Sequence, residues 1–208
     1  MPRVSKKLLM HFLAAALISG TAGISQAVEK IRLYDVESFE IAGVRLRMTL
    51  KEARSAMSKF YSVPESKIRL IESSAATPPW AQLIFDAMPG TSLKVSLAAD
   101  TIKPSSDNYR VHTIWLSGSK TAQDNVNLLQ QLVARFGTPS IKTGEPENNN
   151  LLAKWCSKPS EFYQGKDCDT VHAAFMNDNN GFVTLQNEEI SKEQTARYNK
   201  SSSTPLKF

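Results

Sequence analysis

Cysteine, glycine and histidine are scarce in this chain: its 208 residues hold two, nine and three of them. So few glycines leave little material for a loop that cradles phosphate, and no such loop occurs. There is no Gly-x-Ser-x-Gly elbow to present a nucleophilic serine. Beyond residue 27 no stretch approaches the roughly 20 apolar residues that cross a bilayer, so no membrane span is expected. An excess of one charge is also missing once the first 27 residues are set aside. They carry three of the 25 basic groups and none of the 20 acidic ones, which leaves 22 against 20 and a formal charge of +2. Nucleic-acid binding needs a concentrated basic surface, and the balance excludes that class of partner.

Those 27 residues carry an address. Arg3, Lys6 and Lys7 precede the apolar run Leu8 to Ile18, and small residues follow, ending Ser25-Gln26-Ala27. A basic segment, an apolar segment and a small-x-small site predict a secretory signal peptide, cleaved after Ala27. The expected destination is the periplasm or the exterior. No cysteine stands at the cleavage site, so no lipid anchor is expected.

Export sets the reading of Cys156 and Cys168. In an oxidising compartment a disulfide is the default fate of an even pair. The alternative is a metal site, because Asp167, Asp169 and His172 surround Cys168. Zinc favours much tighter cysteine spacings than this one. The disulfide is therefore expected, and no metal or cofactor.

Periodicity supplies the elements. Thr49 stands three residues before Glu52, the capping-box pattern, and Leu50, Ala53, Met57 and Phe60 follow at helical spacing. This predicts a helix over 50–61. Strands are expected near 68–71, 83–85, 93–97 and 109–116; in the third, Leu93, Val95 and Leu97 alternate with Ser92, Lys94 and Ser96. A second helix over 121–136 carries Ala122, Val126, Leu129, Val133 and Phe136 on one stripe and ends at Gly137 and Pro139. Strands near 151–156, 171–176 and 182–187 follow, the last two joined by an Asn-Gly turn at 177–181. The fold class is α+β, an antiparallel sheet of six or seven strands with two amphipathic helices packed on one face. It forms one domain over 28–190. Two helix-then-strands halves, 40–118 and 119–187, suggest duplication, and 191–208 reads as a polar, mobile tail.

Residues Gly43-Val-Arg-Leu-Arg-Met-Thr-Leu-Lys-Glu-Ala53 resemble an opener of small exported bacterial proteins, roughly Gly-x-x-Leu-Gly-Met-Thr/Ser-x-x-Glu-Ala. It is similar to the helix start of the small outer-membrane assembly lipoprotein family and of β-lactamase-inhibitor-protein-like domains. Arg47 replaces the usual glycine. The resemblance implies a helix-plus-sheet module that binds other proteins without catalysis; it implies no functional residue, since Met48 reads as core and Thr49 and Glu52 as a cap.

For chemistry the mature chain has only His112 and His172, both in expected strands and without a neighbouring nucleophile. Glu188-Glu189 and the Asp167/Asp169 pair read as solvated charges. No catalytic residue is assigned. The surface candidates are aromatic. Pro78-Pro79-Trp80 reads as a rigid loop, which makes Pro79 and Trp80 candidate contact residues, and Tyr163 lies on the loop between the cysteines. The competing reading of Trp80 is a lid folded back over the sheet. The sequence thus describes an exported binding module whose partner is an envelope or secreted protein. A small envelope hydrolase with an unrecognised site is the alternative.

Overall fold

The computed structural model describes residues 31–203 apart from 74, 77, 89, 102–103, 118–121, 146–150, 161–166, 170 and 177–180. The signal-peptide reading, Tyr163 and the turn at 177–180 lie outside the described residues. A small hairpin, β1 (Glu40–Ile41) and β2 (Val44–Arg45), precedes α1 (Leu50–Tyr61). Four strands follow: β3 (Arg69–Ser73), β4 (Trp80–Met88), β5 (Thr91–Ala99) and β6 (Tyr109–Ser117). The second run is α2 (Ala122–Phe136), β7 (Ile141–Thr143), β8 (Leu152–Cys156), β9 (Val171–Met176) and β10 (Phe182–Asn187). A third helix, α3 (Glu188–Ser202), begins without any loop after β10.

The fold is α+β around one antiparallel sheet of eight strands, ordered β3-β4-β5-β6-β10-β9-β8-β7. Each half is a helix followed by a four-stranded meander, and the two meanders meet through their last strands, β6 and β10. Two counts differ from the sequence expectation. The sheet gains β7, a three-residue edge strand too short to show alternation. The third helix occupies most of the segment expected to be a tail. Its polar composition hides it, for among its residues only Ile190 and Gln194 are buried.

Pairing register sorts the side chains into two faces. Leu70, Leu83, Val95, Ile114, Leu185, Ala173 and Trp155 stand opposite one another across seven strands. All but Leu70 are buried. Helices α1 and α2 close this inner face. Tyr61 of α1 lies 4.5 Å, centroid to centroid, from Phe85, and Phe136 of α2 meets Trp155 edge-on at 5.9 Å. Both sheet partners point inward by the alternation of their strands.

Local signals explain why α1 starts where it does. Thr49 Oγ1 accepts from Glu52 N at 3.1 Å and Thr49 N donates to Glu52 Oε2 at 2.8 Å, so two orphan donors are satisfied reciprocally. The bond from the Thr49 N–H, and after it one from the Thr49 hydroxyl to Oε2 at 3.0 Å, hold the Glu52 carboxyl below its usual range. Helix α2 stops at Gly137, whose φ of +85° is the left-handed cap; a side chain there would also press on the Tyr34 ring.

Candidate functional site

The expected covalent staple is present in geometry. Cys156 and Cys168 are placed as a disulfide, with Cα atoms 5.0 Å apart. Around it the chain folds back on itself. Ser160 N donates to Asp167 O at 2.7 Å and Asp169 N to Lys158 O at 3.1 Å, which pairs the described segments on either side of 161–166. The entering segment is tied down at the same place, because Tyr34 N donates to Cys156 O at 2.9 Å.

The alternative ligand set is otherwise engaged. Asp167 takes Lys154 at 2.6 Å and Asp169 takes Lys158 at 2.8 Å. Burial alone would raise Asp167, but the hydrogen bonds from Lys154 and from the Cys168 N–H outweigh it and hold the carboxyl below its usual range. His172 Nδ1 lies 3.0 Å from the Asp169 carbonyl, to which its N–H donates. Among the described residues no group of three His, Cys, Asp or Glu converges on a metal position.

Among the described residues neither histidine is hydrogen-bonded to both a nucleophile and a carboxylate. His112 Nδ1 is 3.0 Å from Thr113 Oγ1, and it sits where the β5–β6 register shifts. Thr113 and His172 flank Gln186 in one row, two strand spacings or about 10 Å apart. Burial pushes both imidazoles below their ordinary value. The consequence for stability has a definite sign. The folded state binds a proton at each ring less readily than the unfolded chain, which takes protons up as pH falls through about 6.5, so protons favour unfolding. Thermal melts should therefore lose stability between pH 7 and 5, before the carboxylates titrate. The double variant His112→Gln/His172→Gln should flatten that window, and an unchanged slope would contradict the burial.

Two of the concavities formed by the described residues adjoin the helices. An open depression at the α1 N-terminus is lined by Thr49, Lys51, Glu52, Ser55, Asp107 and Arg110. Two of its charged groups are engaged: Glu52 serves the cap, and Arg110 Nη1 donates to the carbonyls of Asp107 and Tyr109. A second groove of about 190 Å³ runs between α1 and α2, floored by Leu116 and Val183, with Phe60 at its lip. Most of its lining is apolar, and its charged members, Glu40 and Arg135, are paired with each other.

The face of the sheet opposite α1 and α2 has a different character. One row reads Arg69, Ile84, Lys94, Trp115, Thr184, Ala174, Lys154 and Ile141 across all eight strands. The adjoining row carries Ile71, Gln82, Ser96, Thr113 and Gln186. Aromatic rings stand out among these small and polar groups. Trp115 is half-buried, with Lys94 Nζ 4.6 Å above its ring and Phe182 edge-on at 5.9 Å. Trp80, at the start of β4, is 43% exposed, and Ile71 beside it on β3 is 39% exposed.

This arrangement revises the sequence candidates. Trp80 belongs to a strand rather than a loop, because pairing with Ser73 and Ala98 begins directly after the prolines. Pro79 is buried, and its carbonyl accepts from Ala99 N at 3.1 Å, so it supplies no contact surface. Trp80 and the disulfide hairpin share one end of the sheet but stand five strand spacings apart, about 24 Å. Trp115 and Phe182 are not among the surface candidates that the sequence offers. The signal was available in β6, where Ile114 and Leu116 facing inward oblige Trp115 to face out. No family model, curated protein or solved structure matches the chain.

Proposed function

We infer that the chain is an exported, non-catalytic protein-binding module, and that its partner docks on the sheet face bearing Trp80, Trp115 and Phe182. The observation that carries this reading is the exposure of large apolar side chains on the face that α1 and α2 leave uncovered. Trp80 and Ile71 expose apolar area that could have been buried on folding. Rigid aromatic rings on strands lose little entropy when a partner covers them, which is why such rings dominate interface energetics. The surrounding Ser, Thr and Gln side chains fit the polar rim of an interface. The face is broad: Ile71 on β3 and Phe182 on β10 are separated by four strand spacings, about 19 Å, the scale of a protein footprint.

Export rests on the three-part N-terminus, and the oxidising destination agrees with the paired cysteines. The resemblance of residues 43–53 to modules that bind proteins points the same way. The helix-meander repetition fits an origin by duplication. The test is the pair of measurements on Trp80→Ala, partner capture and thermal stability, made side by side.

A further inference from the structure

Helix α3 is held differently from the other two helices. It packs across β5 and β6 in the middle of the sheet, yet Ile190 is its sole buried apolar residue. Gln194 is buried with it, and its Oε1 has no hydrogen-bond partner among the described residues; Asp100 Oδ1, at the end of β5, is in the same condition. Unsatisfied polar atoms in a contact weaken it. A helix polar on nearly all sides gains little from packing and depends on its caps and ion pairs. The Asn187 side chain caps α3 by accepting from Glu189 N at 2.9 Å.

The principal tie is Arg47. Its guanidinium meets Glu193 through Nη1 at 3.0 Å and Nη2 at 3.2 Å, while Nε reaches Glu37 at 3.2 Å. The hydrogen bond to Glu193 is the main reason the guanidinium holds its proton more firmly than usual. Arg197 adds a looser tie to Asp100 at 3.8 Å. Arg47 makes these contacts from a left-handed backbone, φ +66°, the conformation that glycine adopts without strain. The chain thus keeps a side chain where the backbone favours none, and that side chain bridges the β2–α1 junction to α3.

We propose that α3 is a latched strap, which Arg47 holds against β5 and β6 and which opens as a unit without unfolding the sheet. Opening uncovers the part of β5 and β6 on which α3 packs. The strap is a property of this chain alone and stands whether or not the aromatic face is the docking surface.

Amide hydrogen exchange on the oxidised chain tests it. In the wild type, amides of 191–200 should exchange faster than those of β5 and β6. Glu193→Gln, which leaves the backbone untouched, should speed α3 exchange about two- to fivefold, the factor an exposed ion pair supports. Arg47→Gly should do the same while the melting temperature stays level or rises, because glycine suits the positive φ. About 0.5 M salt should bring the wild type towards the variants by screening the pair. Two results overturn the proposal: α3 exchange that neither variant alters, or α3 and β5–β6 amides accelerating together, which would make α3 part of the global folding unit.

Discussion

Trp155→Ala is expected to lower stability by about 3–5 kcal/mol, the range for emptying a buried aromatic site. Trp155 is fully buried and stands at the junction of three structures. Its ring lies in the inner row of the sheet beside Ala173. It packs edge-on against Phe136, which in turn stacks on Phe39 with centroids 4.1 Å apart. Its Nε1 donates to the Gly137 carbonyl at 2.8 Å, and so fixes the end of α2 as well as filling space. Alanine would leave a cavity under α2 and an orphan carbonyl at the helix cap, two costs that add in the same direction. Denaturant unfolding should show a lower midpoint with an unchanged slope. A loss under about 1 kcal/mol would mean that α2 and the entering segment do not converge on this ring.

Removing the disulfide is the second large effect, expected at about 2–4 kcal/mol for the double variant Cys156→Ser/Cys168→Ser. The bridge spans 12 residues, a short loop, so its entropic contribution is modest for a disulfide. The hairpin it closes keeps Lys154–Asp167 and its two backbone bonds without the bridge, which argues against collapse of the whole domain. Cys156 is fully buried and bridges to the entering segment at Leu33, so loosening should spread to residues 31–38. Unfolding curves with and without reductant check this. Coincident curves for an initially oxidised protein would contradict it.

Much of the fold is legible in the amino-acid sequence, and the features that are not share a physical cause. Helix α1 is legible because Thr49 and Glu52 make a cap that only a helix start uses, and Leu50, Ala53 and Met57 repeat its period. Strand β5 is legible because one wet face forces strict alternation. Strand β7 is not, since three residues with an exposed Lys142 carry no period. Helix α3 is not, since its order comes from the Asn187 cap and Arg47, a residue 146 positions from Glu193. The joining of the halves through β6 and β10 is equally hidden, because alternation identifies strands and says nothing of which strands pair. At the proposed surface, two prolines before Trp80 suggest a loop, whereas the strand begins at once because Ala99 N pairs with the Pro79 carbonyl.

The central claim is that the outer sheet face binds a protein partner, and Trp80→Ala addresses it most directly. Capture from envelope extract with the wild-type chain comes first; the captured protein is then titrated by calorimetry against wild type and variant, with thermal melts of each chain alone. Docking on this face predicts affinity weakened by about 2 kcal/mol or more, some thirtyfold, with a melting temperature that barely moves. Undiminished affinity for the variant, or a binding loss that only follows a collapse in stability, would contradict it.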